Sequence, residues 1–213
     1  MNDNTKIAGN KSVKDWKILR NKLRDNFDIS LWQEAYDFFE IRLNTRYFKP
    51  INAIKGQDKY MGEGFSITAI LCSLIEFLET TWTGEKYKFC RDNELKDFEY
   101  NKSREKFISF LENRPPFSNV FSNKDDLALQ FYQNVRCGLL HEASTKLNWI
   151  IRTDNNTEFY EFRDGEHVID RELFEIKIKE FLKHYKTKLF ENIPLQNAFI
   201  RKMNSISGLE LNF

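Results

Sequence analysis

A chain of 213 residues is long enough for one domain with a substantial buried core. Its composition, 41% hydrophobic and 31% charged, is globular and excludes a disordered or fibrous chain. With 33 Lys and Arg against 32 Asp and Glu the formal net charge is +1, which excludes nucleic-acid binding driven by bulk charge and leaves only a local basic groove.

Phe is over-represented at 20 residues, so an aromatic-rich core is expected. The three cysteines, Cys72, Cys90 and Cys137, are far apart and form no Cys-x-x-Cys pair, which argues against a zinc knuckle or a disulfide framework. The opening "MNDNTKIAGNK" lacks the apolar core of a signal peptide. The longest apolar stretch, Phe65 to Leu78, reads as too short and too polar to span a bilayer. A cytoplasmic protein with no membrane association is expected.

In chain order, residues 1–11 read as a disordered N-terminus. An amphipathic helix follows from Ser12 to about Asn26, with Trp16, Leu19 and Leu23 on one stripe. Ser30 can cap a second helix through "LWQEAYDFFEIRLNTRYF", which Pro50 should stop or kink. "GQDKYMGEG" reads as a loop, and a strongly apolar helix runs from about Gly64 to Trp82. Residues 85–121 carry little pattern beyond a helix over 103–113, broken by Pro115 and Pro116. A further helix opens at Asn123 and runs to about Lys146. The period then shortens: "NWIIRT", "TEFYEF" and "HVID", split by "DNN" and "DG", predict a small β-meander over about 148–169. Asp170 caps a last long helix to about Phe190, and residues 194–213 read as a tail. The expectation is a mainly α single domain over 12–193, a helical bundle with a small β-insert before its last long helix.

The helix around "NVRCGLLHEASTK" holds the most chemistry. On a regular wheel Leu127, Ala128, Phe131, Tyr132, Val135, Gly138, Leu139 and Ala143 share an apolar arc. Arg136 and His141 flank the opposite, polar side, with Gln133 and Ser144 between them and Asn134 on the same side. Gly138 would let a neighbouring helix approach closely. Glu142 points into the apolar arc, where a carboxylate needs a partner, and Arg42 and Arg46 are the candidates. Thr68, Cys72, Glu76 and Glu79 make a similar narrow polar strip on the apolar third helix.

An arginine followed after four residues by a histidine, Arg136-Cys-Gly-Leu-Leu-His141, resembles the motif of the HEPN superfamily, small α-helical bundles. "RYFKPINAI", "GEGFSITAILCSLIEFLETT", "FYQNVRCGLLHEASTK" and "VIDRELFEIKIKEFLKHY", in this order, resemble a bacterial HEPN-like family of uncharacterised proteins over residues 30–190. The resemblance implies a metal-independent endoribonuclease, of toxin or defence type, working as a homodimer whose interface brings two Arg/His sets together. It implies that His141 acts in proton transfer or orients the 2′-hydroxyl, and that Arg136 holds the scissile phosphate. It also raises an antitoxin protein as a partner. Active members usually carry a polar residue directly after the Arg, where this chain has Cys137.

Those residue types suit that chemistry. RNA supplies its own nucleophile, the 2′-hydroxyl, so the protein needs a group that moves protons near neutrality and a fixed cation for the phosphate. Imidazole and guanidinium are those groups. Gln133, Asn134 and Ser144 can add neutral hydrogen bonds, and Glu142, Glu76 and Arg46 are candidate supporting or RNA-contacting residues. No metal or other cofactor is called for: His141, His167 and His184 have no ligand spacing, and "GEG" is not followed by the Lys of a phosphate loop. Two bland alternatives stand beside this: a non-catalytic module that binds RNA or a protein partner or only dimerises, and a purely structural Arg/His pair. Tyr132 and Trp149 read as packing residues rather than base-stacking platforms.

Overall fold

The computed structural model describes residues 1–25, 28–55, 62–122, 124, 126–153 and 157–211. The expected end of the first helix at Asn26, the loop over residues 56–61, the helix start at Asn123 and the turn at 154–156 lie outside the described residues. The chain is mainly α, with small sheets, as its periodicity predicts. In order the elements are β1 (Lys6–Ala8), β2 (Lys11–Ser12), α1 (Val13–Asp25), α2 (Ile29–Leu43), α3 (Lys49–Lys55), α4 (Glu63–Thr83), β3 (Lys86–Tyr87), β4 (Glu99–Tyr100), α5 (Ser103–Asn113), α6 (Ser118–Phe121), α7 (Leu127–Phe131), α8 (Cys137–Glu142), β5 (Trp149–Arg152), β6 (Tyr160–Arg163), β7 (Glu166–Asp170), α9 (Arg171–Glu191) and α10 (Ile193–Ile206). Two π turns, Asn44–Phe48 and Tyr132–Arg136, interrupt otherwise α-helical sequence. The chain divides into two compact units. One comprises Met1–Asn52, Thr80–Asn101 and Lys186–Phe213; the other comprises Ala53–Glu79 and Lys102–Tyr185.

The first unit corrects both ends of the sequence reading. The N-terminus is a hairpin rather than disordered: Gly9, with φ of 57°, turns β1 antiparallel onto β2, and Ile7 and Ala8 are buried. Gly-Asn between two short runs is a hairpin signal. The segment after Pro194 is a helix rather than a tail. Pro194 sits in the first turn of α10, where its missing N–H costs nothing, and the Asn192 side chain caps that end by accepting from Leu195 N at 2.9 Å. Leu195, Ala198, Phe199, Ile200 and Met203 then bury one face. Phe199 meets Trp16, Trp32 and Phe39 edge to face at 6.2, 6.2 and 5.7 Å. Each such pair adds about 0.5–1.5 kcal/mol to the burial itself. Trp16 Nε1 donates to Asn204 Oδ1 at 3.0 Å, so the indole brings its polar atom into the core with a partner.

Helix starts here follow the expected capping chemistry with one shift. Asp28, not Ser30, caps α2, accepting from Ser30 N at 2.7 Å. Pro50 neither stops nor visibly breaks its helix: it falls in the first turn of α3, directly after the π turn Asn44–Phe48. A proline strains the carbonyl four residues back, and a π turn widens the helix at that level.

The second unit is built on phenylalanines. Phe110 and Phe181 lie 4.7 Å apart, Phe117 meets Phe159 at 5.4 Å, and Phe131 meets Trp149 at 5.7 Å and Phe174 at 5.8 Å. The β-insert is not a meander. Its strand order is β5-β7-β6, with β5 parallel and β6 antiparallel to the central β7. The reason lies in burial: β7 ends in buried Val168, Ile169 and Asp170, whereas β5 and β6 are half exposed, so β7 takes the two-sided position. Asp170 then caps α9 as expected, accepting from Glu172 N and Leu173 N at 2.9 and 3.0 Å.

α4 is longer than the apolar stretch from Phe65 to Leu78. Helix formation extends it to 21 residues, long and apolar enough by length and composition to cross a bilayer, although 56% of its most apolar stretch is buried within the protein. Within the second unit Glu79 on this helix is 1% exposed and held bidentate by Arg114, at 2.8 Å to Nε and 3.0 Å to Nη2. A buried carboxylate in that geometry depends on its cation. Arg114→Ala is expected to cost about 3–5 kcal/mol in urea unfolding, and a loss under about 1 kcal/mol would mean the pair is solvated.

His167 on β7 stacks on Trp149 at 4.4 Å with planes 5° apart, and its Nδ1 lies 2.9 Å from the Tyr160 hydroxyl. A neutral ring can accept that hydroxyl proton at Nδ1; a protonated ring cannot. Burial lowers the His167 pKa below the ordinary imidazole value. The unfolded chain therefore takes up a proton first as pH falls. The His167 contribution is fully present above the unfolded value near ~6.5 and declines as pH drops below it. Melting temperatures at about pH 7.5 and about pH 5.5 should differ less in His167→Gln than in the parent chain; equal differences would remove His167 from the acid response.

Candidate functional site

Arg136, His141 and the residues around them belong to the second unit. The helix that carries Arg136 and His141 is not regular. α7 ends at Phe131, the π turn spans Tyr132–Arg136, and α8 runs only from Cys137 to Glu142. A π turn accommodates one extra residue, so a residue after it takes the angular place that a regular helix gives its predecessor, a rotation of about 100°. This corrects the wheel. Glu142 does not enter the apolar arc: its side chain is 61% exposed and lies 3.6 Å from Lys146, a surface pair of little energetic weight. Asn134, expected on the polar side, is 8% exposed.

The helix also stops earlier than Lys146. Ala143 takes a left-handed conformation, φ 52°, and its N–H reaches back to Gly138 O. The chain then folds onto the helix it has left, with Lys146 N donating to Asn134 O at 2.9 Å. Gly138 faces this returning backbone, not a neighbouring helix. A Cβ there would lie 2.5 Å from Ser144 O.

Arg136 closes the π turn and is half-buried. Its guanidinium lies over the Tyr132 ring, 5.2 Å from the centroid, and Nη1 is 3.9 Å from Cys137 Sγ. Among the described residues it pairs with no carboxylate. Cys72, buried on α4, feels the Arg136 charge; burial pushes its thiol well above the usual cysteine range, with Arg136 opposing. Tyr132, half-buried, is also raised above the ordinary phenol value, by burial first, with Arg136 opposing and Cys137 and Glu76 adding. Glu76 is half-buried and accepts from Ser103 Oγ at 2.8 Å. Arg136, Tyr132, Cys137, Cys72 and Glu76 thus form one electrostatic neighbourhood.

His141 lies in the last turn of α8 and is exposed. Among the described residues no hydrogen bond joins it to Arg136 or to any other side chain. Gln133 is exposed, and the exposed Ser144 spends its hydroxyl on Thr145 O at 3.0 Å. Arg46 belongs to the first unit, where it is exposed on the other π turn. Glu142 faces Lys146 within its own unit, and in the first unit Arg42 donates to Ile7 O at 2.6 Å, its pKa pushed down to about 10 by burial first and by Arg46 next. Among the described residues no three His, Cys, Asp or Glu side chains cluster as a metal-ligand set.

Of the expected site residues, then, Arg136 and Glu76 share surroundings, and His141 stands one helix end away in solvent. Sequence reasoning passed over Tyr132 and placed it in the core. Its spacing of four residues from Arg136 was the available signal, since such pairs meet on a helix. The returning backbone gives a direct test of the local geometry. Gly138→Ala gains up to about 1 kcal/mol of helix propensity yet must displace a backbone carbonyl, a strain of about 1–3 kcal/mol. A lowered urea midpoint is expected; an unchanged or raised one would mean that residues 144–146 do not close on the helix. No family model, no curated protein and no solved structure matches this chain.

Proposed function

We propose that this chain is a HEPN-like, metal-independent endoribonuclease of toxin or defence type, active in the cytoplasm as a homodimer. The observation that carries this reading is Arg136: a half-buried guanidinium on a π turn, stacked on Tyr132, with no carboxylate beside it among the described residues. A partly desolvated cation without a counter-ion is an anion site in waiting, and its planar fork fits two phosphate oxygens. π turns recur at functional sites. His141, exposed five residues on, is free to take the proton of a 2′-hydroxyl or to return one to the leaving 5′-oxygen. One chain offers a single imidazole on the helix that follows Arg136, and cleavage is best served by two, one as base and one as acid. A second copy supplies the other. Gln133 is exposed for further hydrogen bonds, whereas Glu142 and Ser144 are engaged with their own neighbours. An antitoxin protein that covers the site fits a toxin.

A second reading has its own support: a non-catalytic module that binds RNA or a protein partner, or serves as a dimeric scaffold. Cys137 stands directly after Arg136, and Leu140 and Leu147, on either side of His141 in sequence, are 56% and 86% exposed. Exposed leucines beside a cation suit docking as well as they suit catalysis.

The test is cleavage of single-stranded RNA in EDTA. Products ending in 2′,3′-cyclic phosphate are expected, from a species of twice the 25.6 kDa chain mass by light scattering. His141→Ala should lower the rate about 10²- to 10⁴-fold while leaving the far-ultraviolet dichroism intact. Activity that survives this substitution, or that requires a divalent metal, overturns the proposal, and RNA binding without cleavage selects the second reading.

A further inference from the structure

We propose that Tyr132 is a positioning residue that fixes the Arg136 guanidinium for an RNA phosphate. The inference rests on the ribonuclease reading of the site and adds to it the device that holds its cation.

A long arginine side chain must be held still if its fork is to meet a phosphate without losing rotamer freedom at that moment. A carboxylate would hold it but would also cancel its charge and occupy its N–H groups. An aromatic face does neither. The ring quadrupole attracts the guanidinium while leaving the charge and the in-plane donors available. At Arg136 the second arrangement is present: the Tyr132 ring lies 5.2 Å away, and among the described residues no carboxylate is paired with the guanidinium.

The platform is itself fixed. Phe107, 1% exposed on α5, meets the Tyr132 ring edge-on at 5.3 Å and 66° and packs against Phe131 at 5.9 Å. The π turn contains both Tyr132 and Arg136, so the local backbone that sets one sets the other. Glu76 lies within electrostatic reach of Tyr132 and is tied to Ser103, which keeps its carboxylate occupied on α4.

The experiment compares Tyr132→Phe, which keeps the aromatic face, with Tyr132→Leu, which removes it. The probe is a fluorescein-labelled 2′-O-methyl oligouridylate, which cannot be cleaved, read by anisotropy in EDTA. Tyr132→Leu should weaken binding about threefold to thirtyfold, and Tyr132→Phe by less than about twofold. In an Arg136→Ala background Tyr132→Leu should have no further effect. Equal weakening in both backgrounds would mean that Tyr132 acts through the fold, and overturns the proposal. If the parent chain fails to bind the probe, the ribonuclease reading fails, and the positioning claim is then judged without RNA. The Arg136 side-chain protons should be shifted upfield by the ring in the parent and in Tyr132→Phe, and not in Tyr132→Leu. Absence of that shift in the parent overturns it.

Discussion

Edge-to-face contact between aromatic rings is the constraint on which both units depend, because a chain with 20 phenylalanines must give each buried ring a partner edge or face. In the first unit Phe199 does this for Trp16, Trp32 and Phe39, which come from α1 and α2. In the second unit Phe131 does it for Trp149, Phe174 and Phe121, which come from β5, α9 and α6. Rings of this size pack at fixed distances, so the elements that carry them are held at fixed distances too. Short pieces such as α6 and β5 could not be stable alone; their order comes from the rings they contribute.

The helix carrying Arg136 follows from the same demand. Phe131 and Val135 are fully buried, four residues apart, and Leu139 is buried four residues later. A regular helix would satisfy that row. The π turn between Tyr132 and Arg136 adds a residue, turns Glu142 out to solvent and leaves Arg136 half-buried beside Tyr132 and Cys137. The cost is a loosened helix that ends early, in a left-handed Ala143 and a backbone pressed against Gly138. Local strain and a cation with no counter-ion among the described residues occur together here, which is where a functional site is expected to depart from the rules of stable packing.

Periodicity and capping made much of the fold readable. The helix over 103–113, the Asp170 cap and the apolar helix beginning near Gly64 rest on local signals, and local signals are what a sequence carries. What could not be read depends on partners distant in the chain. The N-terminal hairpin has only five strand residues, and it is the burial of Ile7 and Ala8 that makes it structure. Pro194 punctuates the sequence as a stop, but a proline opens a helix as readily as it closes one, and Phe199 decides between them. The sheet order β5-β7-β6 is set by which strand is buried on both sides, and alternation within a single strand does not reveal that. At the site, a regular wheel put Arg136 and His141 on the polar side, and it misplaced Glu142 and Asn134 because nothing in "FYQNVRCG" announces a widened turn.

Cys137 bears differently on the two readings once its surroundings are known. A polar residue after the arginine could share the work of holding a phosphate. A thiol is a poor hydrogen-bonding group, and here it is half-buried and 3.9 Å from Arg136 Nη1. Its effect is therefore to leave the guanidinium undischarged, since sulfur at that distance neither neutralises the charge nor competes for it strongly. An Asp in its place would pair with Arg136 and weaken its hold on an anion; an Asn would add a donor. On the proposed reading, cysteine at this position supplies no helper for a phosphate but leaves the cation in place.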